Sequence, residues 1–214
     1  MKTAVISGHT GLIGRQLLTL LLQNNDYGKI VALGRKLVDI QHPKFVQHIV
    51  DFDDIQFDEQ HIDDVYCCLG TTMKKAGTKE KFRMVDFQYP LNLATQCLKK
   101  GAKRFAIVSS MGADEKSLFF YNQVKGEVEM AINQLAFSRI DIFRPSLLLG
   151  HRHESRLAED MGKGIMKMIG FLFLGPLKNY KAIDGAKVAN AMLHFAADDT
   201  PGSYWHTSAE LQDF

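Results

Sequence analysis

The sequence predicts a single-domain α/β protein whose parallel strands and crossover helices form a doubly wound sheet. Short apolar runs alternate with longer amphipathic segments, which is the pattern of strands joined by helices. The first apolar run ends in a glycine-rich turn that leads straight into one of these amphipathic segments. The 214 residues suffice for one domain with a sizeable core, so we expect residues 1–214 to form a single unit.

The elements follow in a regular order along the chain. Strands are expected where short apolar or β-branched runs are bounded by Gly, Pro, Asp or Ser. The predicted strands are residues 3–7, 29–33, 45–50, 64–69, 104–108 and 139–143. The predicted helices are residues 12–23, 79–99, 118–135 and 184–197. This alternation indicates parallel strands joined by crossover helices.

The turn after the first strand has the form of a dinucleotide-binding loop. Its glycines are Gly8, Gly11 and Gly14, in the pattern GxxGxxG. Gly8 ends the strand, Gly11 lets the backbone approach a pyrophosphate, and Gly14 allows the helix to pack closely on the strand. A phosphate-loop NTPase fits poorly, because Arg15 and Gln16 stand where Lys and Ser or Thr are needed. An ordinary tight turn between a strand and a helix is the alternative.

The residues after the second and third strands bear on the choice of cofactor. Arg35 lies 21 residues beyond Gly14, with Lys36 beside it, where an acidic residue would favour NAD. Two cations fit the additional 2′-phosphate of NADP, so we expect NADP(H); the alternative is a solvated basic pair at a strand end. Asp51 follows the third strand and is expected either to meet the adenine amino group or to cap a turn.

A Tyr-x-x-x-Lys pair supplies the candidate chemistry. Tyr121 and Lys125 stand four residues apart, on one face of the predicted helix 118–135. A phenol with a pKa of about 10 is a poor base near neutral pH, and a nearby ammonium favours its ionised form. Ser110, at the end of the fifth strand, is preferred over Ser109 as the hydrogen-bond donor to a substrate oxygen. A surface helical pair is the alternative interpretation of the Tyr and Lys.

Longer segments point to a family. They are residues 67–72 (CCLGTT), 75–77, 85–86, 109–114, 121–129 (YNQVKGEVE), 143–145 and 154–156. In this order they resemble the atypical short-chain dehydrogenase/reductases of the Tat-interactive-protein type. The resemblance runs from residue 3 to about residue 193.

The resemblance implies a Rossmann-type domain that binds NADPH and reduces a carbonyl or oxidises an alcohol. It implies a cofactor site made of Thr10, Gly11, Leu12, Ile13, Arg35, Lys36, Leu69, Gly70, Tyr121, Lys125, Leu148 and Arg156. The four turn residues would hold the pyrophosphate, the two cations the 2′-phosphate, and the Tyr/Lys pair the nicotinamide half. Asp86 stands where many relatives have Asn in a proton relay, so we expect that relay to be altered. A non-catalytic NADPH-binding regulator is the competing class, although the Tyr/Lys pair favours an enzyme.

Several other classes are disfavoured. A net charge of +2 without a basic tract argues against nucleic acid. The longest apolar run, residues 165–174, contains Lys167 and is shorter than the about 20 residues that span a bilayer. His151 and His153 lack a clear third ligand, so we expect no metal.

Partners and location are less closely specified. Residues 150–177 are expected to form a small substrate-side region whose Met and Phe content suits an apolar small molecule. The oligomeric state is left open, with a homodimer as one option. The three cysteines do not suggest a disulfide framework, and no signal peptide is recognisable, so the sequence predicts a cytoplasmic protein.

Overall fold

The computed structural model describes residues 1–149 and 181–214. The strands there are β1 (Lys2–Ser7), β2 (Tyr27–Gly34), β3 (Phe45–Ile49), β4 (Asp64–Cys67), β5 (Arg104–Val108), β6 (Arg139–Arg144), β7 (Leu148–Leu149), β8 (Ile183–Asp184) and β9 (Gly202–Thr207). The α-helices there are α1 (Leu12–Gln23), α2 (Met73–Ala76), α3 (Lys79–Arg83), α4 (Tyr89–Lys99), α5 (Phe120–Asn133), α6 (Gly185–Phe195) and α7 (Ser208–Leu211). A π-helical turn, Met84–Gln88, joins α3 to α4.

The main sheet has the predicted doubly wound α/β architecture. Within the two described ranges it contains seven strands in the order β3-β2-β1-β4-β5-β6-β9, and every neighbouring pair is parallel. From β1 the chain adds β2 and β3 on one side of the sheet and then crosses to add β4 on the other side. The gap between β1 and β4 is therefore the switch point of the sheet. A Rossmann-type sheet binds its ligand at the carboxyl edge of such a switch point.

Helices cover both faces of the sheet because successive side chains of a strand point to opposite sides. On β1, Ala4 and Ile6 pack in the core with α1 and α6, whereas Val5 packs in the core that contains residues of α4 and α5. From α1, Leu17 and Leu21 are fully buried against this sheet. Burying a side chain of that size contributes about 1.5–3 kcal/mol.

Two predicted elements end differently from expectation. The fourth strand ends at Cys67 rather than at residue 69, and its last bond to β1 runs from the Cys68 N–H to the Ser7 carbonyl at 2.8 Å. The predicted helix 79–99 is divided by the π-helical turn. Pro90 is the second residue of α4 and has no N–H, so it cannot donate to the Asp86 carbonyl as a regular helix would require.

The sequence analysis missed the seventh strand of the sheet, β9. Its residues, GSYWHT, are largely polar or half-exposed and begin with a glycine, so they lack the apolar run used to find the others. Buried polar groups anchor this edge. Asp141 on β6 accepts hydrogen bonds from Arg139 at 2.8 and 2.9 Å, and it contacts His206 of β9 at 2.9 Å.

This network predicts a large stability loss for Asp141→Ala. The substitution leaves the buried Arg139 guanidinium without its main partner, and breaking a buried ion pair costs about 3–5 kcal/mol. Urea denaturation measures the free energy of unfolding. The exposed Asp39→Ala is the control and should change it by less than about 0.5 kcal/mol. Similar losses in the two variants would contradict the anchoring role of Asp141.

Candidate functional site

The glycine turn is a close contact between backbones. Gly8 has a φ of +78°, and a Cβ there would lie 2.3 Å from the Cys68 carbonyl oxygen at the exit of β4. A Cβ at Gly14 would lie 2.3 Å from the Gly8 carbonyl oxygen. Real atoms do not approach so closely, so side chains are excluded at both positions. The turn therefore presents bare backbone at the carboxyl edge of β1.

The helix that follows begins with free backbone donors. Gly11 is the N-cap residue of α1 and has no side chain to cap it, and the first turn of the helix contains no acidic residue. The Gly11 N–H donates to the Gly8 carbonyl at 2.9 Å, and this hydrogen bond closes the turn. Thr10 and Gly11 are exposed, Leu12 is half-buried and Ile13 is buried. A helix N-terminus of this kind favours an anionic group, so the cradle fits a pyrophosphate.

The two predicted cations lie beside this cradle. Arg35 and Lys36 are exposed and directly follow β2, the neighbour of β1. The chain after β3 is tied to the same edge because the Val50 N–H donates to the Gly34 carbonyl at 2.9 Å. Asp51 follows there, and its Oδ1 accepts the Asp53 N–H at 3.0 Å. Asp51 thus caps a turn, one of its two expected roles, and its contact with an adenine stays a prediction.

Lys125 is buried in an ion pair with Asp86. Its Nζ lies 2.8 Å from Asp86 Oδ1, and the other carboxylate oxygen of Asp86 accepts the Thr71 N–H at 2.8 Å. Burial alone would lower the pKa of Lys125, but Asp86 and Tyr121 outweigh it and raise that pKa. A Cβ at Gly70 would lie 3.7 Å from the Lys125 Nζ, so the ammonium stands directly behind the turn that follows β4.

Tyr121 lies at the accessible end of the same helix face. It occupies the first turn of α5, with its ring centroid 5.4 Å from that of Phe82. The side chain is 37% exposed, which leaves room for contact with a ligand. Tyr121 and Lys125 lie one helical turn apart on α5, so their side chains share one face of the helix. The structure places Lys125 behind Gly70 and Tyr121 one helical turn before it, and their roles toward a cofactor stay predictions.

The two serines after β5 have different surroundings. The Ser109 hydroxyl donates to Glu129, a buried carboxylate that also accepts hydrogen bonds from Arg144 and from Trp205 Nε1. The Ser110 hydroxyl oxygen is buried and has no hydrogen-bond partner among the described residues. This difference supports Ser110 as the serine that is free to contact a substrate, which stays a prediction.

Other predicted residues are less fully placed. Leu148 is half-buried in β7, which pairs with β8 away from the main sheet. Arg156, the two histidines 151 and 153, and the substrate-side residues 150–177 lie outside the described residues. Within residues 1–149 and 181–214, no group of three or more His, Cys, Asp or Glu side chains is placed to hold a metal ion. In the same ranges no helix has the length and apolar character needed to cross a bilayer.

Sequence analysis overlooked two buried polar residues near the site. Glu129 follows Lys125 by four residues, so the spacing of Tyr121, Lys125 and Glu129 on one helix face was an available signal. The other residue is His9, the second residue of the glycine turn, which is 3% exposed. Its position inside the motif was visible, but its burial depends on the neighbouring strand.

Comparison with known proteins identifies the family. The family model described as "NAD dependent epimerase/dehydratase family" matches residues 4–214. The chain belongs to this family. Its fold agrees, because a solved structure of MoeE5 in complex with UDP-glucose and NAD superposes with a TM-score of 0.69. That likeness covers 95% of this chain and 74% of MoeE5 at 15% identity, and it shows the fold alone.

Relatives confirm the predicted subgroup. "Protein HTATIP2" from Rattus norvegicus is 37% identical over 210 residues, covering 94% of this chain and 83% of the relative. "Protein FMP52, mitochondrial" from Debaryomyces hansenii is 31% identical over 204 residues, covering 92% of this chain and 88% of the relative. The chain is therefore an atypical short-chain dehydrogenase/reductase of the Tat-interactive-protein type, within a family of enzymes that use nicotinamide dinucleotides.

The predicted cytoplasmic location is wrong. Several fungal relatives are named mitochondrial proteins. The cytoplasmic prediction rested on the cysteines, and free thiols do not distinguish the cytosol from other reducing compartments. All three cysteines are free, and burial raises the pKa of Cys67 and of Cys97 to about 12.

The close contact at Gly8 can be tested against a matched glycine. Gly77 has the same φ of +78° but no atom within 4 Å of its Cβ position, so Gly77→Ala adds only left-handed strain of about 1–2 kcal/mol. Gly8→Ala adds the strain of a positive φ and, in addition, a clash with the Cys68 carbonyl. We expect a larger loss of unfolding free energy in urea and no thermal stabilisation by added NAD(H) or NADP(H). Equal losses of unfolding free energy in the two variants would show that the close contact with the Cys68 carbonyl adds nothing to the cost of Gly8→Ala.

Proposed function

We propose that the protein is an NADPH-dependent oxidoreductase that acts on a carbonyl or alcohol substrate. The observation that carries this proposal is the position of Tyr121 and Lys125 at the turn after β4. Lys125 is fixed behind Gly70 by its 2.8 Å ion pair with Asp86, and Tyr121 is exposed one helical turn before it. This edge of the sheet also carries the glycine cradle, so a dinucleotide lying along it would reach both side chains.

The side chains divide the chemistry between them. A bound reduced nicotinamide would supply a hydride to the carbonyl carbon. Tyr121 would donate its phenolic proton to the carbonyl oxygen, and Ser110 would hold that oxygen through its unpartnered hydroxyl. Lys125 would bind the adjoining ribose and stabilise the phenolate left on Tyr121, while Asp86 holds the ammonium in place.

The cations at the end of β2 support the preference for NADPH. The family description names NAD, as do several complexes of similar fold. In this chain Arg35 and Lys36 are exposed beside the cradle, where a ribose 2′-phosphate would lie. A guanidinium can bind a phosphate through two parallel hydrogen bonds, which gives the 2′-phosphate a partner that a 2′-hydroxyl does not need.

A non-catalytic dinucleotide-binding regulator is the second candidate. The ion pair favours it, because the Asp86 carboxylate neutralises the charge through which Lys125 would stabilise a phenolate. The exposure of Tyr121 favours the enzyme. Loss of the phenolic oxygen distinguishes these two candidates.

Tyr121→Phe should abolish most turnover while leaving cofactor binding intact. The change removes one oxygen from a partly exposed ring and leaves the glycine cradle unaltered. Loss of a positioned proton donor typically lowers the rate by roughly 10²–10⁴-fold. A panel of aldehydes, ketones and quinones first identifies a substrate, and single-turnover NADPH oxidation then measures hydride transfer.

Tyr204→Phe is the matched control for that experiment. The Tyr204 hydroxyl donates to the Pro201 carbonyl at 3.1 Å, and its ring packs on Arg139 at the opposite edge of the sheet. Its removal should leave the rate unchanged. An unchanged rate in Tyr121→Phe would remove this residue from the mechanism. If no panel member oxidises NADPH in the wild type although NADPH binds, the regulator is favoured.

Arg35→Ala should weaken NADPH binding by roughly ten-fold or more and NADH binding far less. The loss follows from a charge-assisted contact worth about 1.5–3 kcal/mol. Isothermal titration calorimetry measures both affinities. The exposed Lys103→Ala, which precedes β5 at the amino edge, controls for the loss of one positive charge. Equal weakening of the two cofactors by Arg35→Ala would contradict the assignment of the 2′-phosphate.

A further inference from the structure

His9 is a buried imidazole without a partner. It is 3% exposed, and neither Nδ1 nor Nε2 has a hydrogen-bond partner among the described residues. Burying a polar group unpaired costs about 1–3 kcal/mol, and native proteins seldom retain such a cost without a use for the group. The ring therefore has hydrogen-bonding capacity that the described protein does not use.

The position of this ring places it at the adenosine end of the cofactor cradle. His9 follows Gly8, and a Cβ at Gly34 would lie 2.8 Å from His9 Cε1 and 3.6 Å from Nε2. The absence of a side chain at Gly34 is thus what makes room for the imidazole. The same Cβ position is 3.5 Å from the Lys36 carbonyl oxygen, so the ring lies under the segment that carries the two cations.

The parallel register leads to the same placement. Ser7 of β1 pairs with Leu33 of β2, and the two chains leave the sheet side by side. After this pair the chain continues with Gly8 and His9 on one side and with Gly34, the last residue of β2, and Arg35 on the other. In a dinucleotide-binding sheet the ribose next to the adenine lies across the ends of these two strands.

We propose that His9 is a cofactor-specificity residue whose imidazole, seated on Gly34, hydrogen-bonds the ribose 2′-phosphate of NADPH together with Arg35. This inference rests on the proposed preference for NADPH. It assigns recognition of the phosphate to the glycine turn as well as to the cations after β2. It also gives a function to the unpartnered ring nitrogens.

The proposed role can be measured through the protonation of the His9 ring when NADPH binds. Burial lowers the pKa of His9, so the ring is neutral in the free protein near neutral pH. A phosphate dianion against the ring would favour the imidazolium, and binding would take up a proton. The charged groups at the neighbouring strand ends are Arg35 and Lys36 after β2 and Asp51 after β3, all exposed, and the first turn of α1 contains no carboxylate.

Calorimetry of NADPH and NADH binding tests the proposal. In His9→Ala, NADPH affinity should fall by roughly ten-fold, with a smaller change for NADH. Titrations at pH 7 in two buffers of different ionisation enthalpy count the protons taken up. The wild type should take up more protons with NADPH than His9→Ala does. The phosphate also titrates, but it contributes to both proteins and cancels in the difference.

Two further variants complete the experiment. His9→Asn keeps a neutral donor that cannot titrate, so it should retain part of the NADPH affinity and lose the additional proton uptake. It also replaces His9→Ala if that variant does not fold. His61→Ala removes an exposed histidine that contacts Asp63 at the amino edge, and it should change neither quantity.

The outcomes separate this inference from the proposed function. Unchanged NADPH affinity and proton uptake in a folded His9 variant would overturn it, as would equal losses for NADPH and NADH. If Arg35→Ala alone reduces the preference for NADPH, the proposed function stands and the role of His9 fails. If neither variant alters that preference, the NADPH assignment itself fails.

Discussion

The close backbone contact at Gly8 is the constraint on which the rest of the site depends. It brings the end of β1 against the Cys68 carbonyl after β4. The missing side chain of Gly14 lets α1 begin against the Gly8 carbonyl. Three elements thus meet without intervening side chains. Because no side chain fills the space, backbone donors face outward, and a phosphate can be bound by the main chain alone. The candidate ligand edge of the sheet follows from this junction.

Helix α5 supplies the polar groups of the site from a single face. Tyr121, Lys125 and Glu129 recur every four residues, and each meets a different neighbour: Phe82, Asp86 and the Ser109 hydroxyl. The buried ion pair is not evidence of high stability, because desolvation opposes the attraction between the charges. Its effect is to fix the direction of the ammonium. A fixed charge behind an exposed phenol is an arrangement suited to controlling where a proton resides.

Elements with a recognisable local sequence pattern were the ones predicted from the sequence. Residues 104–108 were predicted to their observed bounds because a buried parallel strand is a continuous apolar run. The edge strand β9 has no such run and is specified by partners far away in sequence, such as Asp141 with His206. The site behaves likewise: the glycine spacing and the Tyr/Lys pair are local, whereas the burial of His9 depends on Gly34, a residue of the neighbouring strand. Long-range packing is what a single sequence does not reveal.

The π-helical turn restricts how this chain can change in length. Its wider winding keeps Phe82, Asp86 and Pro90, which are spaced four residues apart, on one buried line. In a regular helix of 3.6 residues per turn, deleting one residue rotates the preceding segment by about 100°. Such a deletion before Pro90 would turn Asp86 away from Lys125 without replacing either residue. Insertions and deletions here should therefore be rarer among relatives than substitutions, and an intact residue count between 82 and 90 would mark those that keep the ion pair.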